Sequence, residues 1–331
     1  LERIPGERLM VHDVADGMTA VGVNTQIGWA DTDNATRLAV LDRLAAARVE
    51  WLRLDVGWVT LEDQPGQFAG WYLATLDFIV DAARARNIKV LAVIKGTPAW
   101  ASPSPSGPPS MPGLALSFAQ RLAGHFRDRI AAYETWNEPN HPGFWTGTLD
   151  QFAALHREIS TGIRAGDPAA SVVLAGPAYC DSEWVRQMLL RGLRGTFDAL
   201  AVHPYMSPSN LPPDTPDPDG TNIWTMTHVA AIRSLQEAFG DSSPIWFTEF
   251  GWSSHSTPSP NNWEQGVTQA TQASYLTKTL QLVGSRWPYV SHVFWYVDRD
   301  RSDSGAQQNN YGLLTRAGQP KAVYTALRRR H

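Results

Sequence analysis

Cysteine and long apolar runs are scarce in this sequence of 331 residues. Cys180 is the single cysteine, which excludes an intramolecular disulfide and a metal site built from clustered cysteines. No apolar run approaches the roughly 18 residues of a membrane-spanning helix. The nine histidines include no His-x-His pair, and no Gly-x-Gly-x-x-Gly segment follows the first predicted strand. We therefore expect no transmembrane segment, no bound metal and no cofactor.

The sequence also lacks a strong excess of positive or negative charge. Lysine and arginine number 28 and aspartate and glutamate 32, which gives a net charge of −4. This balance argues against a nucleic acid or an anionic membrane surface as partner, and we expect a monomer. Hydrophobic residues make up 43 % of the chain, enough for a sizeable core. The sequence begins at Leu1 rather than Met, and we expect that an upstream segment has been removed.

Short strand patterns alternate with longer helical patterns along the whole chain. Runs rich in β-branched and aromatic residues lie at 19–24, 49–56, 88–96, 130–138, 171–178, 197–205, 244–252 and 290–298. Apolar residues at helical spacing occupy 35–49, 71–87, 118–129, 149–165, 184–193, 225–239, 264–286 and 321–330. Eight such alternations predict the α/β class and a (β/α)8 TIM barrel. No linker or break in composition interrupts residues 1–331, so we predict one domain without an appended β-sandwich.

The connections between these segments are unequal in length. Links from helix to strand are short, whereas the links from strand to helix at 97–113, 206–223, 253–263 and 299–312 are long and rich in proline, serine, asparagine and glycine. Long loops can be tolerated drift, but a barrel builds its active site from the loops that follow its strands. Their position at one end therefore favours a functional site there.

Two glutamates stand at the ends of predicted strands. Residues two apart share one face of a strand, so Glu138 shares a face with Glu134 and Trp136, and Glu249 with Phe247. The same alternation turns further side chains inward, namely Arg53, Asp55, His203, Tyr205 and Trp295, with Asn137 beside Glu138. We expect Glu138 and Glu249 to face each other across the mouth of the barrel.

A facing pair of carboxyl groups is what glycosidic bond cleavage requires, because one must be protonated and the other ionised. Glu138 lies in an apolar stretch between Asn137 and Pro139, which favours its protonated form. Arg53, Tyr205 or His203 could hold Glu249 as an anion. The alternative is that each glutamate is a structural ion-pair residue.

Three other charged residues have more than one interpretation. Glu134 lies deeper in its strand, and we expect it to be a buried partner of a cation such as Arg53. Asp55 is either structural or part of the site. Lys95 follows the third strand and could contact an acidic sugar or a carboxylate of the protein.

Tryptophan is abundant, with 14 residues, and many of them lie at strand ends or in the following loops. Indole faces stack on the apolar faces of sugar rings, while ordinary core packing is the alternative for any single one. The group comprises Trp29, Trp58, Trp71, Trp100, Trp145, Trp252, Trp263 and Trp295. We predict that Trp100, Trp145, Trp252 and above all Trp295 bind substrate.

Two segments resemble a known group of enzymes. YETWNEPN at 133–140 and WFTEFGW at 246–252 resemble clan A of the glycoside hydrolases. ETWNEPNH together with TPAW is most similar to family 39 and its bacterial relatives, and family 5 shares much of this pattern. The resemblance covers residues 19–325. It implies a barrel in which Glu138 is the general acid/base and Glu249 the nucleophile of a retaining mechanism.

The resemblance also implies roles for the neighbours of the two glutamates. Asn137 would hydrogen-bond the sugar 2-hydroxyl, His203 and Tyr205 would hold Glu249, and Trp295 would form the floor of the sugar subsite. Retention predicts that the carboxyl groups lie about 5–5.5 Å apart. No β-sandwich pattern follows the barrel, unlike in the xylosidases and iduronidases of family 39, which favours cleavage within a polysaccharide.

Several alternatives remain open at this point. They are an exo-acting xylosidase, a transglycosidase and a carbohydrate-binding barrel without catalysis. Because polysaccharides are found outside cells, a polymer substrate leads us to expect a secreted or cell-envelope protein.

Overall fold

The chain folds into the predicted (β/α)8 barrel. The computed structural model describes residues 19–302 and 305–330. Eight parallel strands form a closed sheet in sequence order, and β8 pairs with β1. The strands are β1 Ala20–Thr25, β2 Trp51–Gly57, β3 Lys89–Lys95, β4 Ala132–Glu134, β5 Ser171–Leu174, β6 Ala199–Val202, β7 Ile245–Phe250 and β8 Val290–Trp295. Each predicted strand therefore exists, although β4, β5 and β6 are shorter than expected.

Helices follow the strands, as predicted, with one additional turn after β2. They are α1 Asn34–Ala46, α2 Trp58–Leu61, α3 Gly70–Arg84, α4 Leu114–His125, α5 Leu149–Gly166, α6 Ser182–Leu190, α7 Val229–Ala238, α8 Gln269–Arg286 and α9 Ala322–Arg328. Turns of 3-10 helix lie at Met226–His228, Asn262–Glu264 and Gln307–Asn309. Among the described residues, no helix has the length and apolar character needed to span a bilayer.

Side-chain caps fix where several helices begin. The hydroxyl of Thr148 accepts a hydrogen bond from the Gln151 N–H, and the Gln151 side chain accepts one from the Thr148 N–H. This reciprocal cap starts α5 and so ends the loop that carries Glu138. The helix predicted at 264–286 begins only at α8, because Thr268 caps it by accepting from Thr271 N–H.

Two hydrophobic cores lie on either side of the sheet. The larger one fills the space between strands and helices. The smaller one fills the barrel interior with Ala20, Trp51, Leu91, Ala132, Val173, Ala199, Ala201, Trp246 and Phe294. The rings of Trp51 and Trp246 meet edge to face with their centres 5.4 Å apart. This plug closes the barrel below the mouth, so the site rests on a packed floor.

Side-chain alternation is confirmed for β2 and β6 and wrong for β7 and β8. In β7, Phe247 was predicted to share the inward face with Glu249, but it packs in the outer core. Trp51 and Ala201 belong to the interior plug, and two residues further on Arg53 and His203 are also buried. In β8 it is Phe294 that belongs to the interior plug, so the prediction that Trp295 points inward is wrong. Trp295 belongs to the outer core.

The strand pattern also breaks at Trp136. The prediction placed Trp136 on the inward face with Glu138, but β4 ends at Glu134 and Trp136 packs in the outer core. Its indole N–H donates to the Phe144 carbonyl at 2.9 Å, inside the following loop. The irregular chain after β4 has therefore lost the two-residue period that the prediction assumed.

Close packing of α4 against α5 yields a stability prediction. A β-carbon on Gly162 of α5 would lie 2.4 Å from the Leu116 carbonyl oxygen, so Gly162→Ala should force the helices apart and lower the free energy of unfolding by about 1–3 kcal/mol. Gly124→Ala in α4 meets nothing within 4 Å and should raise it by about 0.5 kcal/mol. Urea unfolding of both variants measures the difference, and equal stabilities would contradict it.

Candidate active site

A cavity of about 600 Å³ opens at the carboxyl ends of the strands. Six of the sequence-predicted site residues line it: Arg53, Lys95, Asn137, Glu138, Tyr205 and Glu249. His203 lies fully buried and contacts Glu138. The structure therefore brings together both glutamates and most of the polar neighbours that the sequence analysis proposed.

An irregularity in β7 turns Glu249 toward the cavity. The register between β7 and β8 shifts between Phe247 and Phe250, and both of those rings pack in the outer core. Thr248 and Glu249 lie between them, and both contact buried polar groups. Two consecutive side chains therefore face the barrel interior. A bulge of this kind allows a strand to present an extra residue on one face.

Glu249 accepts two hydrogen bonds, one on each carboxylate oxygen. Nη1 of Arg53 donates to Oε1 at 2.6 Å, and the Tyr205 hydroxyl donates to Oε2 at 3.0 Å. Burial, together with the charge of Glu249, raises the pKa of Tyr205 well above its usual value, so the phenol remains a donor. The two donors fix the orientation of the carboxylate and stabilise its negative charge.

Glu138 adopts a backbone conformation that is uncommon for its residue type. Its φ is +42°, in the left-handed region, and its N–H donates to the Gly176 carbonyl at 3.0 Å. Pro139 follows and cannot donate a ladder hydrogen bond. The strand direction is lost at this point, and the Glu138 side chain stands at the cavity wall.

His203 holds Glu138 and not Glu249, which corrects the prediction. Nδ1 of His203 lies 2.9 Å from Oε1 of Glu138, and Nε2 lies 3.0 Å from the Thr248 hydroxyl. That hydroxyl donates to Oε1 of Glu134 at 3.0 Å. Burial disfavours the imidazolium, but the charges and hydrogen bonds of Glu249, Glu134 and Glu138 outweigh it and raise the pKa of His203 to about 9.

Arg53 connects the two halves of this network. Its Nε donates to Oε2 of Glu134 at 2.7 Å, which confirms the predicted pairing of these two buried residues. Its Nη1 also donates to Asn24 and its Nη2 to Asn137, each at 2.9 Å. Burial opposes ionisation of Glu134, but Arg53 and His203 outweigh it and hold the pKa of Glu134 at about 2.

Among the described residues, one group of three side chains has the spacing of metal ligands: Glu138, His203 and Glu249. One ligand atom of each lies within 4.8 Å of the others. Both ring nitrogens of His203 are engaged, and its raised pKa keeps the ring protonated, which leaves no lone pair for a metal. The donor set therefore fits an acid–base site better than a cation site, and the absence of a metal stays a prediction.

The structure shows that Asp55 and Lys95, whose roles were left open, contact each other. The Lys95 ammonium pairs with the Asp55 carboxylate, and both side chains line the cavity while partly exposed. Of the two interpretations of Lys95, its contact in the structure is a carboxylate of the protein. Asp55 is structural and lines the site at the same time.

The four tryptophans predicted to bind substrate do not line the cavity. Trp295, Trp252 and Trp145 are buried, and Trp100 is half-buried. Each indole N–H donates to a main-chain carbonyl: Trp295 to Tyr311, Trp252 to Leu211, Trp145 to Thr148 and Trp100 to Glu62. These residues brace the loops around the cavity, so their predicted placement against the substrate is corrected.

Other aromatic residues take that position. Of the tryptophans at strand ends, Trp29 and Trp263 line the cavity. The sequence analysis missed Tyr296, which follows Trp295, together with Tyr179, Tyr311 and Arg301. Tyr205, Tyr296 and Tyr311 form a cluster with ring centres 5.7–6.4 Å apart beside Glu249. The doublet Trp295-Tyr296 was the available signal, because one of two adjacent residues must face the mouth.

The protonation of His203 leads to a pH-dependence of stability. Its pKa is raised from 6.5 to about 9, so its contribution is complete below pH 6.5 and is lost as the pH rises through 9. The free energy of unfolding of the wild type should fall between these values by on the order of 2–3 kcal/mol more than that of His203→Gln.

Chemical denaturation from pH 6 to pH 10 measures this difference, and His125→Gln on α4 is the matched control because His125 is partly exposed beside Asp77. An NMR titration of the His203 ring gives an independent reading. A midpoint near pH 6.5 would contradict the assignment of the charge.

Comparison with known proteins places the chain in a family. The model described as Cellulase (glycosyl hydrolase family 5) matches residues 13–299, which is most of the chain. No curated protein matches the sequence.

Several solved structures share the fold. A family 39 glycoside hydrolase from Bacteroides cellulosilyticus WH2 is 22 % identical with a TM-score of 0.70; the alignment covers 96 % of this chain and 64 % of that chain. A GH5_18 structure from Streptomyces cattleya in complex with GlcNAc is 19 % identical, with a TM-score of 0.69 and coverage of 95 % and 79 %. An exo-β-1,4-mannosidase from Opitutaceae bacterium strain TAV5 is 16 % identical, with a TM-score of 0.63 and coverage of 95 % and 59 %.

At these identities the likeness concerns the fold, and this chain spans about two thirds of the length of the family 39 structure. The family match bears on the activity of this chain. The predicted resemblance to clan A, with a family 39 enzyme among its structural relatives, is confirmed. The chain belongs to glycosyl hydrolase family 5 and is a clan A glycoside hydrolase.

Proposed function

We propose that the protein is a retaining glycoside hydrolase that cleaves within the chain of a polysaccharide. The observation that best supports this function is the close approach of Glu138 and Glu249. Their nearest carboxylate oxygens lie within 4.8 Å of each other in one cavity. Retaining enzymes hold their carboxyl groups about 5–5.5 Å apart, whereas inverting enzymes need about 6.5–9.5 Å to admit a water molecule. The observed separation supports retention.

In the first step Glu249 attacks the anomeric carbon of the sugar. The bond from that carbon to the glycosidic oxygen breaks as an ester bond to Glu249 forms, and Glu138 transfers its proton to the departing oxygen. Arg53 and Tyr205 hold one oxygen of Glu249 each, so the carboxylate is oriented before the substrate arrives. Glu138 leaves this step as a carboxylate.

In the second step Glu138 acts as a base. It accepts a proton from water, whose oxygen attacks the anomeric carbon, and the ester bond breaks to release Glu249. The His203 imidazolium, 2.9 Å from Oε1 of Glu138, stabilises the negative charge that Glu138 carries between the two steps. This gives His203 a role in the cycle through Glu138.

Asn137 is positioned to contact the sugar in both steps. Arg53 donates to its Oδ1 at 2.9 Å, which orients the amide so that its Nδ2 hydrogens remain for a substrate oxygen. Asn137 lines the cavity beside Glu138. A hydrogen bond to the sugar 2-hydroxyl that strengthens in the transition state is the role this geometry supports.

A cluster of three aromatic rings supports a polymeric substrate. Tyr179, Trp224 and Trp263 come from the loops after β5, β6 and β7, and their ring centres lie 4.4–4.9 Å apart. We call this cluster the aromatic ledge. Tyr179 and Trp263 line the cavity, while Trp224 lies outside it and is 37 % exposed. The ledge adds ring surface beyond the cavity, on which further sugars of a longer chain can stack.

A polysaccharide is too large to cross a membrane unaided, so we propose that the enzyme acts outside the cytoplasm, secreted or in the cell envelope. Carbohydrate is then its partner. Degradation of that polysaccharide is the proposed biological role.

Single substitutions of the two glutamates test the mechanism. Glu249→Ala should abolish activity on polysaccharides because no ester can form. Glu138→Ala should lower kcat by about 10²–10⁴-fold, and by much less on an aryl glycoside whose leaving group needs no proton. Azide should restore turnover of the Glu138→Ala enzyme on that aryl glycoside. Reducing-end release from a panel of polysaccharides and proton NMR of the first-formed anomer are the measurements.

Glu183→Gln on the exposed face of α6 is the control and should retain full activity. A first product of inverted configuration would sink the retaining mechanism, and only monosaccharide products would sink endo cleavage. Products longer than the substrate, formed with added acceptor sugars, would favour a transglycosidase. Binding of sugars without any cleavage would favour a barrel that has lost catalysis.

The aromatic ledge predicts a dependence on chain length. Trp224→Ala should lower kcat/KM about tenfold on long oligosaccharides and leave it unchanged on the shortest cleaved one, because only long chains reach this ring. Trp71→Ala is the matched control, since Trp71 is 57 % exposed on α3 and does not line the cavity. An equal loss on short and long substrates would contradict binding at the ledge.

A further inference from the structure

The charged side chains of the cavity are paired with one exception. Arg53 contacts Glu134 and Glu249, and Lys95 contacts Asp55. Arg301 lines the same cavity, yet within residues 19–302 and 305–330 no carboxylate forms an ion pair with it. Among the described residues, Arg301 is therefore the cation of this cavity that no carboxylate contacts directly.

Arg301 is held in place by rings instead of by an acid. Its guanidinium carbon lies 5.2 Å from the centre of the Trp29 ring and 5.9 Å from that of Tyr296. Its Nη2 donates to the Tyr296 hydroxyl at 2.6 Å. Contacts of this kind orient a guanidinium while leaving its charge unneutralised. This separates Arg301 from an ordinary surface arginine, whose side chain samples many rotamers in water.

Most of the donors of Arg301 are unused. A guanidinium carries five N–H groups, and the bond to Tyr296 is the one side-chain hydrogen bond that Arg301 makes to described residues. Its side chain is exposed. Two donors in a fixed fork remain for a ligand, and a planar fork matches a carboxylate in particular.

Three of the acidic residues near Arg301 have other partners. Asp298 is buried and accepts from the Gln26 N–H at 3.1 Å. Asp300 pairs with Lys321 at 2.9 Å, and Asp33 caps α1 by accepting from the Thr36 N–H. None of them neutralises Arg301 by direct contact.

We propose that Trp29, Tyr296 and Arg301 form a subsite for a sugar residue that bears a carboxylate, so that the substrate is a polysaccharide containing a uronic acid. We call these three residues the Arg301 subsite. The guanidinium would bind the carboxylate through its free donors while the Trp29 ring, 43 % exposed, packs on the sugar. The substrate part of this inference rests on the proposed function, whereas the binding of a uronic acid does not.

Binding of monosaccharides tests the subsite without any cleavage. NMR titration of the wild-type protein should show glucuronate binding at least tenfold more tightly than glucose, which has the same ring without the carboxylate. Arg301→Gln should weaken glucuronate binding about tenfold and leave glucose binding unchanged. Arg299→Gln is the matched control. Arg299 lies on the same loop and lines the neighbouring pocket, which Trp29 and Arg301 share, but it does not line this cavity.

Equal affinity of the wild type for glucuronate and glucose would overturn the subsite. So would a loss of glucuronate binding in Arg299→Gln as large as that in Arg301→Gln, because it would indicate general attraction by the loop. Glucose 6-phosphate competing as well as glucuronate would overturn the choice of a carboxylate.

Hydrolysis of matched polymers tests the substrate class. The probes are glucuronate-containing polysaccharides and the same polymers after reduction of their carboxyl groups to alcohols. The wild type should cleave the acidic form with the higher kcat/KM, and Arg301→Gln should remove that preference through KM. Preference for the reduced polymers would overturn the assignment of the substrate. Glucuronate binding without cleavage of any polymer would support the subsite and contradict the proposed hydrolase.

Discussion

Arg53 is the group on which the arrangement of the mouth depends. Its guanidinium is buried and contacts Glu134, Glu249, Asn24 and Asn137, so four side chains from β1, β4, β7 and the β4 loop take their orientation from one cation. A buried arginine is tolerated only when its donors are satisfied, and both buried carboxylates here have Arg53 as their ion-pair partner. The site therefore behaves as one electrostatic unit, in which loss of Arg53 would leave Glu134 and Glu249 without that partner.

Aromatic residues below the site and aromatic residues at its mouth have different functions. Trp51, Trp246 and Phe294 fill the barrel below the site and give it an incompressible floor. Rings at the mouth, among them Trp29 and Trp263, face the cavity and remain partly exposed. Rigidity below and ring surface above are complementary, because a positioned pair of carboxylates is useful only when the sugar is held against it.

The fold was accessible from the sequence because it follows from the regular alternation of strand and helix patterns. The two glutamates were found at the predicted strand ends, although regular strand periodicity presents neither of them: Glu138 lies beyond the end of β4, and Glu249 faces the cavity because of the irregularity in β7. Alternation placed Arg53 and His203 correctly, since β2 and β6 run without interruption up to them. It failed for Trp136, because the chain leaves the strand after Glu134. It also failed for Trp295, because the inward-facing residues of β8 lie one position away from those that were predicted. The partner of His203 could not be found in this way, since Glu138 lies beyond the end of β4 with a positive φ that strand periodicity does not predict.

The irregularity in β7 has a consequence for how the family can vary. Thr248 links His203 to Glu134, and the next residue, Glu249, is the carboxylate that Arg53 and Tyr205 hold. Because both side chains depend on the same extra residue, deleting one position of β7 would remove either the hydroxyl or the carboxylate from the interior. We therefore expect insertions and deletions to be rare in this strand. Nearly all length variation among homologues should lie in the loops on either side.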